Sequence, residues 1–119
     1  MVAAAALALL SPGCYRLTQD ERKLIGTWEY ETIDAVGRVE FHRNHTWELS
    51  FADDPAAAHP KFRVADGGAW HLNGKDLVSA SDLGRVMTVR IIDLREDEIL
   101  YSIDTAGPHV ADARFKRVK

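Results

Sequence analysis

The chain carries a single cysteine, Cys14, in 119 residues. That excludes an internal disulfide and the cysteine-rich zinc patterns, so the core alone must hold the fold. Long apolar runs are also missing: none reaches the roughly 18 residues of a membrane-spanning helix. The net charge is small, −3, and spread thinly along the chain. The longest acidic run, Glu96-Asp97-Glu98, reads as a solvated turn. The one basic cluster, Arg114-Phe115-Lys116-Arg117-Val118-Lys119, alternates like a terminal strand with one charged face. No second basic stripe supports a nucleic-acid surface. What is present, 46% hydrophobic and 28% charged residues, is ordinary for one globular domain and excludes wholesale disorder.

The first ten residues, Met1 to Leu10, are apolar and uncharged, and Ser11-Pro12-Gly13-Cys14 follows. A short apolar stretch closed by small residues is the shape of a secretory signal. Ending on cysteine, it resembles the bacterial lipobox, although Pro12 and the missing basic start depart from that pattern. The expectation is a signal peptide over residues 1–13, then a lipidated tether and short helical turn over 14–23. Cys14 would anchor the protein to a membrane of the bacterial cell envelope, each buried methylene adding about 0.8 kcal/mol. An ordinary signal followed by a spare thiol, and a buried N-terminal helix, are the alternatives.

From Thr18-Gln19-Asp20-Glu21, which has capping-box spacing, a helical turn through Lys23 is expected, ended by Gly26. The period then falls to two. Trp28, Tyr30 and Thr32 alternate with charged residues, as do Val39 and Phe41, and then Trp47, Leu49 and Phe51. Such alternation marks antiparallel strands with one wet face. Residues 53–60 form a loop. Phe62, Val64, Asp66, Gly68, Trp70 and Leu72 keep one parity, which implies a long strand with a bulge at Gly67 and Gly68. Asn73-Gly74 predicts a type I′ hairpin turn with positive φ at both residues. Residues 85–94 are apolar on both parities and read as a strand covered on both sides. Strands near 99–104 and 110–118 complete about eight. Even spacing with short connections predicts an all-β, antiparallel up-and-down barrel over residues 24–119, which removes exposed edges.

The ordered set Leu24-Ile25-Gly26-Thr27-Trp28, Val39-Glu40-Phe41, Gly68-Ala69-Trp70-His71-Leu72 and Leu77 resembles the lipocalin/calycin architecture. It is closer still to the small bacterial lipocalin-like domain proteins, over about residues 20 to 119. At Asn44-His45-Thr46-Trp47 that group often has an Asp-Gly-Thr turn. The resemblance implies no catalytic residues, no cofactor and no enzymatic activity. It also implies that Trp28 is covered by a basic side chain of the last strand. Phe115 should point inward, and Arg117, of the same parity, should either reach Trp28 or lie as a solvated terminal residue.

The five histidines show no metal-ligand spacing, and no metal is expected. Ser79, Ser81 and His71 could be placed on neighbouring strands, but no orienting acid stands out. Two readings remain for the aromatic residues. The set is Trp28, Tyr30, Phe41, Trp47, Phe51, Phe62, Trp70, Tyr101 and Phe115; it forms either the wall of a site for a small apolar or amphipathic ligand, with Trp28, Tyr30, Phe41, Trp47 and Trp70 as its candidate residues, or a filled core. In the second case the barrel would act through its outer surface as a protein-protein interaction module.

Overall fold

The computed structural model describes residues 16–32, 34–103 and 113–118. The signal peptide, the Cys14 anchor, the turn expected at 105–108 and the start of the closing strand lie outside them.

A short helix, α1 (Gln19–Leu24), precedes eight strands: β1 (Gly26–Glu31), β2 (Val36–Phe41), β3 (Thr46–Ala52), β4 (Phe62–Asn73), β5 (Asp76–Ser81), β6 (Val86–Leu94), β7 (Glu98–Ser102) and β8 (Ala113–Arg117). Each strand pairs antiparallel with the next, and β8 pairs back with β1, closing the barrel. Inward-facing positions follow the period of two. Trp28 lies opposite Val39, Phe41 opposite Trp47, and Leu72 opposite Leu77. Trp28, Trp70, Leu24 and Ile99 are almost fully buried, and the cluster they belong to fills the barrel beside α1. Burial of each large apolar side chain contributes about 1.5–3 kcal/mol.

Three local expectations are corrected. The hairpin turn between β4 and β5 is Gly74-Lys75, because Asn73 still pairs with Asp76 at the end of the ladder. Gly74 has φ +63° and Lys75 does not enter the left-handed region, so only the first central residue is at positive φ, as in a type II′ turn. The Asp76–Arg90 pair, at 2.6 Å, keeps Asp76 in the strand.

The bulge in β4 falls at Ala65, not at Gly67 and Gly68: Leu49 faces Asp66 while Ser50 faces Val64. The extra residue reverses the faces, so β4 does not keep one parity. Val64 is exposed, whereas Trp70 is buried. Gly68 serves another purpose, since a Cβ there would collide with the Ala80 carbonyl oxygen.

The third correction concerns β6, which is not covered on both sides. Val86 and Met87 are exposed at its start, while Val89 and Ile91 are buried. A second bulge, at Ile92, returns Leu94 to the inner face opposite Ile99. Apolar residues on both parities therefore record a switch of face.

Candidate functional site

The barrel has two unlike halves, and α1 defines the closed one. Its N-terminus is capped as expected: Glu21 N donates to Thr18 Oγ1 (3.1 Å) and Thr18 N to Glu21 Oε1 (3.0 Å). The same carboxylate, only 4% exposed, also reaches the barrel. Glu21 Oε2 accepts from Leu72 N at 3.1 Å and lies 3.3 Å from His45 Nε2. Burial raises the Glu21 pKa, but the two backbone donors and the His45 ring outweigh it and hold the carboxyl below its ordinary 4.5. His45, in the turn between β2 and β3, takes φ +64°, a conformation that glycine adopts more easily. Its carbonyl accepts from Trp70 N at 2.8 Å and its ring lies 5.1 Å from the Trp70 ring, contacts that hold this uncommon conformation.

The C-terminus of α1 is gripped from the opposite side. The Arg117 guanidinium lies 4.2 Å from the centre of a Trp28 ring. Its Nη2 donates to Lys23 O (2.8 Å), Nη1 to Ile25 O (2.9 Å) and Nε to Glu96 O (2.6 Å). Trp28 Nε1 donates to Leu24 O at 2.8 Å. The last carbonyls of a helix have no partners within it and favour a cation, so one arginine and one indole complete the helix end. A Cβ on Gly26 would stand 2.5 Å from Arg117 Nη1, and φ there is +130°. The first Gly-x-Trp step thus keeps the arginine's path open and supplies the ring beneath it.

The other half is looser. Tyr30, Phe51, Tyr101 and Phe115 line the interior away from α1. Tyr101 and Phe115 stack at 4.8 Å, and Tyr30 meets Phe115 edge-on at 5.5 Å. Gly37 leaves room for the Tyr30 phenol, which a Cβ would approach to 2.5 Å. Where β1 and β8 part, a cleft of about 800 Å³ opens, with Tyr30, Tyr101, Leu100 and Ile103 as apolar surface and Glu31 and Lys116 among its charged groups. Burial raises the Tyr30 pKa above its ordinary 10.0, which keeps the hydroxyl protonated. Among the described residues that hydroxyl has no hydrogen-bond partner. The cleft can therefore take a flat or chain-like apolar group and offer it one polar contact.

The residues singled out in the sequence fall into three places. Trp28, Phe41 and Trp70 lie in the buried core and line none of the cavities described here. The Trp70 indole N–H is buried without an acceptor among the described residues. Trp47 is half-buried, donates Nε1 to Ala69 O at 3.0 Å, and edges a separate depression of about 450 Å³ over Gly67 and Gly68. Tyr30 alone faces the cleft. Ser81 Oγ donates to Asp66 at 2.6 Å, a bond that leads the causes lowering the Asp66 pKa, while His71 is exposed on the outer face and does not approach either. Among the described residues, no group of three His, Cys, Asp or Glu side chains is placed to hold a metal. Tyr101, from the wider aromatic set, lines the cleft as well, and Phe115 contacts both it and Tyr30. The parity of Phe115 showed that it points inward, but nothing in the sequence showed that strand pairing would stop beside it.

The fold is that of a closed eight-stranded antiparallel barrel. Among solved structures it is similar to one described as the NMR structure of a protein from Bacteroides uniformis. The TM-score is 0.57 and the sequence identity 16%, covering 82% of this chain and 90% of the other. At that identity the likeness concerns the fold alone. No protein-family model matches the sequence, and the comparison with curated proteins gives no match.

Proposed function

We propose that the protein is a non-enzymatic, lipocalin-like binding module of the bacterial cell envelope, anchored through Cys14, that holds a small apolar or amphipathic molecule. The observation that carries this reading is the cleft beside β1 and β8, with its aromatic surface and the Tyr30 hydroxyl, which has no hydrogen-bond partner among the described residues. The ligand would sit there rather than along the barrel axis, where Trp28, Phe41 and Trp70 are packed into the buried core. Native mass spectrometry of the protein purified from its own host tests the reading. A retained small molecule is expected, displaced by an apolar dye. A bare protein that also fails to take up the dye would overturn it. The anchor is tested separately by fractionation: Cys14→Ala should leave the membrane fraction, and equal partition of both forms would contradict anchoring.

A filled barrel acting as a protein interaction module is the second reading. Exposed Leu83, Val86, Met87 and Ile103, all more than half accessible, favour it. In that case Val86→Asp would abolish a partner's binding and leave dye uptake unchanged.

A further inference from the structure

Seven of the eight seams of the barrel are paired over four to seven residues. Among the described residues, the seam between β1 and β8 is paired over two, Trp28 with Arg117 and Glu29 with Lys116. It stops although both strands continue, β1 to Glu31 and β8 back to Ala113. Val118 N donates to Thr27 O at 2.9 Å just outside the ladder. Alternation along antiparallel strands then sets which backbone groups face across the seam. They are those of Thr27, Glu29 and Glu31 on β1, and of Val118, Lys116 and Arg114 on β8. Continuing the same register by two residues places Glu31 opposite Arg114, where the two would exchange both backbone hydrogen bonds. Their side chains carry opposite charges, which favours a cross-strand pair. At present Arg114 lies 3.3 Å from Glu98, a contact with the arginine 62% exposed and therefore weakly held. The ladder stops beside the Tyr30–Phe115 edge contact, and Glu31, Ala113 and Arg114, just beyond it, line the cleft.

We propose that this short seam is the ligand's lateral entrance, and that Glu31 pairs with Arg114 to zip the seam closed over a molecule seated on Tyr30 and Tyr101. The proposal rests on the ligand-binding reading above and adds the route and the closing element. Pairing of neighbouring strands brings the two Cα atoms to about 5.5 Å, within the range a disulfide spans.

The test is a full-chain variant, Cys14→Ser with Glu31→Cys and Arg114→Cys, oxidised mildly and probed with the dye 8-anilinonaphthalene-1-sulfonate. Intramolecular disulfide formation, read by mass spectrometry, is the first expected result. Glu29→Cys with Lys116→Cys, already paired, serves as the positive control for cross-linking. The second expected result is that dye loaded before oxidation leaves at least tenfold more slowly than from the reduced form, and that a reductant restores the rate. If the control cross-links and the 31–114 pair does not, while circular dichroism shows both variants folded, the seam does not close and the proposal falls. If the disulfide forms but dye exchange is unchanged, the entrance lies elsewhere and the proposal also falls. Disulfide formation in a protein that takes up no dye in any state would refute the binding reading, and the entrance with it, while leaving the seam closure standing.

Discussion

The closed end of the barrel and its open half use the same kinds of residue for opposite ends. Beside α1, Trp28 and Trp70 are buried, and nearby charged groups are spent on backbone partners: Glu21 on two N–H groups, Arg117 on three carbonyls. Around Tyr30, Tyr101 and Phe115 the rings are only half-buried and the nearby seam is two residues deep. An aromatic ring becomes core where a polar clamp fastens backbone over it. It becomes a surface for something else where the backbone parts.

The sharpest way to break this contrast is to remove the clamp. Arg117→Ala loses a cation–π contact and leaves the end of α1 without its donors, so it should cost about 2–4 kcal/mol in urea unfolding. Arg117→Lys should recover less than half, because a point charge cannot reach three carbonyls at once. A cost below about 1 kcal/mol would mean that the closed end does not depend on the clamp.

Glu21→Gln should cost about 1–3 kcal/mol at neutral pH, the scale of charge-assisted hydrogen bonds. The folded pKa is depressed below 4.5, so the carboxylate's contribution is fully present above that value. It is lost as pH falls through the folded pKa. The stability difference between the two proteins should therefore shrink below about pH 4.5, and a difference constant down to pH 2 would contradict the assignment. At Gly74 a Cβ meets open space, so backbone strain acts alone and Gly74→Val should cost roughly 1 kcal/mol. The smallest effect on stability belongs to the open half. Tyr30→Phe should change the melting temperature by no more than a degree or two. Dye affinity should fall several-fold, as loss of one hydrogen bond of about 0.5–1.5 kcal/mol implies.

The barrel itself was legible in the sequence, because period-two alternation and short connections leave few other solutions. The capping box at Thr18–Glu21 was legible for a similar reason, being a local pattern. What escaped was non-local. Whether Asn73 belongs to turn or strand depends on the pairing of Asp76 with Arg90, fourteen residues on. The bulges at Ala65 and Ile92 bear no glycine and show only as a change of face. Arg117 was traceable to Trp28 by parity and by the family resemblance. Its bonds to Lys23, Ile25 and Glu96 depend on where three separate chain segments converge. The cleft was least legible, because it follows from where a seam stops pairing, and no single residue encodes that.

The most direct test of two halves with separate duties is a two-dimensional NMR titration of the full chain with 8-anilinonaphthalene-1-sulfonate. The indole N–H signals of Trp28, Trp47 and Trp70 serve as three internal reporters. Binding should shift the amides of Glu29 to Thr32 and of Ala113 to Lys116, and leave the Trp28 and Trp70 indoles in place. Shifts of those two indoles with the seam amides unmoved would put the ligand in the closed end and contradict the account.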